Sequence, residues 1–156
     1  MTSLRAFLNA AELVWFTVID SERVGPIIVR GGIDYQALPP RFDSVAKIRR
    51  LFRRYWGVRF TNILICNLRL LRINGRLYAP VGDPPELPTT VVALRIVKRS
   101  GDSILVRAAL TGLGEGRTTI FYTIRFDPKT GAARIVNRTG RRNDIRYQRC
   151  VRSCSR

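Results

Sequence analysis

Apolar side chains at Leu4, Phe7, Leu8, Ala11, Val14, Trp15 and Val18 recur at intervals of three and four, the repeat that lines one face of an α-helix. The spacing predicts a first helix that stops before "SERVGP", with Glu12 interrupting its apolar run. The next stretch, "IIVRGGIDYQALPPRFD", has β-branched residues, a Gly-Gly turn, a short second arm and a Pro-Pro break. It predicts a small hairpin outside the main sheet. Ser44 then precedes "VAKIRRLFRRYWG", where Val45, Ile48, Phe52 and Tyr55 form one stripe. This is a second helix with Gly57 as its C-terminal stop. Thr61 is the expected N-cap of a third helical run through "NILICNLRLL". In "RINGRLYAPVGD", Asn74-Gly75 sits between apolar arms, and both central residues of a type I′ turn need positive φ, so a two-stranded ribbon is expected there.

After "VGDPPELP" the period changes to two. Val92, Leu94 and Ile96 share one expected face. So do Ile104, Val106, Ala108 and Leu110, and then Ile120, Tyr122, Ile124 and Phe126. A last strand, "ARIVNR", follows "DPKTG". Links of hairpin length make consecutive strands antiparallel neighbours. Helices first and a meander second predict an α+β domain, its N-terminal helices packed on one face of a twisted antiparallel sheet, a cone of the cystatin/NTF2-like kind. Residues 1–140 form this single domain, and residues 141–156 form a basic tail with six arginines against Asp144, read as partly disordered.

The charge changes this picture more than the composition does. Lys and Arg number 28 against 11 Asp and Glu, a net +17, and all but three of the 28 are Arg. Nucleic acid, an anionic cell-wall polymer or an acidic protein become plausible partners, although a GC-rich genome also raises Arg without function. The second helix presents a basic surface of Lys47, Arg49, Arg50, Arg53 and Arg54, which reads either as a solvated face or as a phosphate-binding one. No run of 18 apolar residues exists. The N-terminus lacks the layout of a signal peptide, so a secreted protein would be represented here by its mature form with an added Met.

The chain has no His, which removes Ser-His-Asp and Cys-His templates. The acids are scattered singly, and "TGLGEGR" lies between strands rather than between a strand and a helix, so it is no phosphate loop. A catalytic role, a metal site and a cofactor are therefore not expected. Cys66 reads as a small core hydrophobe. Cys150 and Cys154 either pair with one another or remain free thiols.

Several segments together, "AAELVWFTVI", "GGIDYQALPPRFDSVAKIRRLFRRYW", "FTN", "INGRLYAPVGD" and "GAARIVN", resemble the bacterial DL-endopeptidase inhibitors of the IseA type, in the same order, over about residues 5 to 138. The resemblance implies a secreted, non-catalytic α+β protein, extracellular or cell-wall associated. It would occupy the active-site cleft of a NlpC/P60-type cysteine peptidase and restrain peptidoglycan breakdown. The Arg-rich tail lies outside the resemblance, and the charge exceeds what inhibition requires.

A contact surface is expected on the loops. Pro80, Pro84, Pro85 and Pro88 limit the shapes of "LYAPVGDPPELP" and so reduce the entropy cost of presenting it. Tyr78, Pro80, Val81, Gly82 and Asp83 are the first candidate partner-binding residues, and Gly112, Gly114 and Glu115 of "TGLGEG" are the second set. The other reading of these loops is structural separation of ribbon and sheet. The alternative function is sequence-independent nucleic-acid binding through the basic surface. Against it, Phe52, Tyr55 and Trp56 belong on or beside the apolar stripe and leave few stacking platforms. A monomer without a membrane span is expected.

Overall fold

The structure is a computed structural model that describes residues 3–112 and 116–150. Helix α1 spans Leu4–Ile19, and the Ser3 hydroxyl caps it by accepting the amide of Ala6 at 3.1 Å. Its buried face is Leu8, Ala11, Val14, Trp15 and Val18, as the periodicity predicts, with Glu12 buried among them. Arg23 closes the helix's far end: its guanidinium donates to the carbonyl of Ile19 at 2.6 Å and to that of Ala79 at 2.7 Å. One cation thus satisfies an orphan helix carbonyl and ties α1 to the next sheet.

Four strands come as two hairpins, one directly after α1 and one after the third helix: β1 (Val24–Arg30), β2 (Ile33–Ala37), β3 (Leu71–Ile73) and β4 (Arg76–Pro80). They form one antiparallel sheet in the order β1-β2-β4-β3. Both turns use the predicted chemistry. Gly31 and Gly32 have φ of 58° and 77°, and Asn74 and Gly75 have 49° and 78°. The early hairpin does lie outside the meander, but it is not isolated, because β2 pairs with β4 through Gln36 and Ala79.

Helix α2 spans Val45–Phe52 with Ser44 as its N-cap, its hydroxyl accepting the amide of Lys47 at 3.2 Å. The expected stop at Gly57 is corrected: α2 ends at Phe52 with Arg53 as its C-cap, and Gly57 is the N-cap of α3 (Val58–Asn67). Thr61, expected as that cap, lies buried inside α3 and donates its hydroxyl to the Trp56 carbonyl at 3.3 Å. The reason is pairing. Residues 55–57 lie beside the last strand, where Ile135 donates to the Tyr55 carbonyl at 2.7 Å and accepts from Gly57 at 2.8 Å. This bridge halts the helix and starts the next one.

The meander is β5 (Thr90–Ser100), β6 (Ser103–Thr111), β7 (Thr118–Phe126) and β8 (Ala133–Thr139), in that order and antiparallel throughout. Alternation holds for β6 and β7, where Ile104, Val106, Ala108, Leu110, Ile120, Tyr122 and Ile124 are buried. It fails on the edge strand. Irregularities in β5 between Val91 and Ala93 and between Ile96 and Lys98 change the face, so Val91 is buried while Ile96 and Val97 are exposed. Together α1, α2, α3 and the two sheets enclose one apolar core that includes Leu8, Phe52, Trp56, Leu64, Leu77, Val106 and Ile124. No helix among the described residues is long and apolar enough to cross a membrane.

The segment after β8 returns to this core as a strap. Asp144 and Arg146 are fully buried, and the side-chain amide of Asn67 donates to the carbonyls of Arg146 and Gln148 at 3.0 and 2.8 Å. Cys66, beside Asn67, forms a disulfide with Cys150, with Cα atoms 6.0 Å apart. This overturns both alternatives left open for Cys150, a bridge to Cys154 or a free thiol, and the expectation of an unpaired Cys66. Four-residue spacing in the tail counted for less than the docking of the strap on the end of α3. Cys154 lies outside the described residues.

Candidate functional site

The arm leaving β4 is shaped by its backbone. Pro80 ends the strand, and the amide of Val81 still donates to the Asp34 carbonyl of β2 at 2.8 Å. Gly82 then takes a φ of 144°, which side-chain-bearing residues rarely adopt. Val81, Gly82 and Asp83 are consequently lifted into solvent, Val81 being 39% exposed. The chain returns at Leu87 and Pro88, both buried. Gly112 receives this return: a Cβ there would lie 3.0 Å from the Leu87 carbonyl oxygen, so any side chain would push the returning backbone by a few tenths of an ångström.

Two concavities meet at Pro84. One, of about 230 Å³, lies between Pro80–Pro84 of the arm and Trp15, Ile19 and Leu68. The other, of about 500 Å³, lies between Pro84–Leu87, Gly112 and the Leu13, Phe16, Asp20 face of α1. Pro80, Val81, Gly82, Asp83 and Gly112 therefore belong to one surface, as a pair of separate sequence candidates brought together. Tyr78 does not join them as an exposed contact: it is half-buried on β4, paired with Ala37 and Leu71. Gly114 and Glu115 lie outside the described residues.

This surface is apolar with an acidic edge. Leu13 and Val81 are exposed hydrophobics, and Asp20, Asp83 and Glu86 supply carboxylates. Partial burial pushes the Asp20 carboxyl above its ordinary range; Arg23 opposes this and Asp83 adds to it. The indole N–H of Trp15, at the wall of the smaller concavity, is buried with no hydrogen-bond partner among the described residues.

Beneath the surface lies a polar cluster that the sequence reading missed. Glu12 accepts from Tyr122 at 2.6 Å, from Arg138 Nε at 2.9 Å and from Tyr147 at 3.1 Å. Arg146 stands 3.1 Å from the same carboxylate, donates to the Glu12 carbonyl, and grips Asp144 through two bonds of 3.0 and 2.7 Å. Two acids and two guanidiniums thus neutralise one another inside the core. Burial pushes the Glu12 carboxyl up, but Arg138 and Arg146, with the hydrogen bonds from Arg138 and Tyr122, outweigh it and hold it below the usual carboxylate range. Tyr122 and Tyr147 are both pushed upward, first by burial and then by the nearby Glu12 charge. The charged members of the cluster are buried, Tyr147 is part-exposed, and together they join α1, β7, β8 and the strap. Its one sequence signal was Glu12, placed between Leu8, Ala11 and Trp15 on a face that is otherwise apolar.

The predicted basic surface on α2 is partly committed to local bonds. Lys47 pairs with Asp43 at 2.8 Å and donates to the Pro40 carbonyl, and Arg49 donates to Asn62 at 2.7 Å. Arg53 reaches the Trp56 carbonyl at 3.5 Å. Arg50 and Arg54 are exposed with no carboxylate partner among the described residues. Among the described residues no group of His, Cys, Asp or Glu is arranged to hold a metal ion. Comparison with protein-family models gives no match, and comparison with curated proteins gives none either.

Proposed function

We propose that the protein is a non-catalytic inhibitor of a NlpC/P60-type cell-wall endopeptidase, acting outside the cytoplasm as a monomer, with the arm Pro80–Asp83 and Gly112 as the surface that enters the peptidase cleft. The observation that carries this reading is the construction of the arm. Its ends are fixed by the Val81–Asp34 bond and by buried Leu87, while Val81, Gly82 and Asp83 between them stand in solvent. A loop held in this way loses little entropy on docking, and the apolar concavities on either side of Pro84 offer a partner more area to bury.

Two further features support it. The α+β order of helices and hairpins agrees with the resemblance in "INGRLYAPVGD" and "GAARIVN", and the cystatin/NTF2-like cone belongs to the same proposal. The Cys66–Cys150 bridge suits an oxidising compartment. The test is a panel of NlpC/P60 peptidases digesting peptidoglycan while the protein is added. Digestion by at least one slows at near-stoichiometric protein, and the protein alone releases no muropeptide. A panel unaffected by excess protein removes the proposal.

A further inference from the structure

A separate groove of about 560 Å³ runs between α3, the end of β8 and the strap, lined by Arg59, Arg141, Arg142 and Arg149 with Asn137 and Gln148. None of the four arginines has a carboxylate partner among the described residues. Asp144 also lines the groove, but it is matched by Arg146 at 2.7 Å, and Arg138 is matched by Glu12 at 2.9 Å. The interior beneath the groove is therefore neutral, and four positive charges converge on its walls without a compensating carboxylate among the described residues.

The walls are already in place. Arg59 is held by the Asn137 side chain at 3.1 Å and lies 4.5 Å over the Phe60 ring, and Arg141 donates to Asn143 at 2.8 Å. The strap that carries Arg142 and Arg149 is fastened by Arg146 in the core, by Asn67 and by the Cys66–Cys150 disulfide. Guanidinium forks suit phosphate oxygens, and a groove of this volume admits several units of a chain rather than one ion. Bases would find no open aromatic face among the described residues. Phe60 is buried, and the Tyr147 ring is covered by Arg138 at 3.9 Å and Arg146 at 4.7 Å.

We propose that this groove binds a base-free phosphodiester polymer, reading its phosphates alone. None of its residues lines the two concavities beside the arm, so the proposal is independent of peptidase inhibition. The test uses the full chain at about 50 mM salt with two labelled probes of equal length, an abasic deoxyribose-phosphate oligomer and oligo(dT). Both probes bind within about twofold of one another. Arg142→Ala with Arg149→Ala weakens the abasic probe by about tenfold or more and makes the log–log salt slope shallower by about 1.4, roughly 0.7 for each lost phosphate contact. Arg50→Ala with Arg54→Ala, an equal loss of charge on α2, changes affinity by less than about threefold. Melting curves and the gentler Arg142→Gln with Arg149→Gln pair guard against misfolding. No abasic binding, or equal losses in the groove and α2 variants, overturns the proposal. Oligo(dT) binding tenfold tighter also overturns it and indicates a nucleic-acid site that reads bases.

Discussion

Replacing Glu12 by Gln would leave the buried guanidiniums of Arg138 and Arg146 with only Asp144 as a counter-charge. Breaking a buried pair from one side costs about 3–5 kcal/mol, because the remaining charge stays desolvated. For a chain of this size that is a fall in melting temperature on the order of 10 °C. Calorimetry that finds Glu12→Gln as stable as the parent would show that the cluster contributes nothing. The same residue sets an acid limit. Its carboxyl is depressed in the fold, so its contribution is present above about pH 4.5 and is lost as pH falls through the folded value. Glu12→Gln should therefore show a shallower loss of stability on the acid side than the parent. At the alkaline end the sign reverses: Tyr122 and Tyr147 are raised, so stability is complete below about pH 10 and declines above it. In a spectroscopic titration these two phenols ionise only with unfolding. If all five tyrosines titrate while near-ultraviolet dichroism stays native, the buried hydrogen bonds to Glu12 are not as described. A sequence shows that a Glu interrupts an apolar face. It does not show the partners, because Tyr122, Arg138 and Arg146 lie more than 100 residues away and meet Glu12 only after the meander has closed.

Elements whose identity depends on local chemistry were legible in the chain. The two-residue turns at Gly31-Gly32 and Asn74-Gly75 need positive φ that few residues accept, and the Ser44 cap needs only its neighbours. Boundaries set by distant pairing were not. Gly57 begins a helix rather than ending one because residues 55–57 bridge to Ile135, and the edge strand β5 shifts face where no strand of the described residues pairs with its outer side and the Val91 amide donates instead to Asn9. The strap is the largest such case: a run of arginines reads as a solvated tail until Arg146 is placed opposite Asp144 and Cys150 opposite Cys66. Closing a loop between cysteines 84 positions apart restricts the unfolded chain, typically by about 2–4 kcal/mol. Cys66→Ser with Cys150→Ser should thus lower the melting temperature by on the order of 10 °C while the strap's buried contacts keep the fold. Identical melting of reduced and oxidised protein would contradict a docked strap.

At the scale of the molecule, charge is not spread evenly. The arm and its concavities carry Asp20, Asp83 and Glu86 beside a single Arg69, whereas the groove along the strap carries four arginines with no carboxylate partner among the described residues. A net charge of +17 therefore describes the whole chain and neither surface. The arm's candidacy came from prolines that limit its shape, which sequence reveals. Its neighbourhood with Gly112 came from packing against Leu87, which sequence does not reveal. The central claim is that this arm enters a peptidase cleft, and inhibition titrations of the parent and of Val81→Ala with Asp83→Ala test it most directly. Both positions are exposed, so the melting temperature should hold, exposed changes being worth less than about 0.5 kcal/mol. Inhibition should weaken about thirtyfold, the effect of losing a central contact of about 2 kcal/mol. A variant that inhibits the responding peptidase as tightly as the parent, at unchanged stability, would contradict the account and place the contact surface elsewhere.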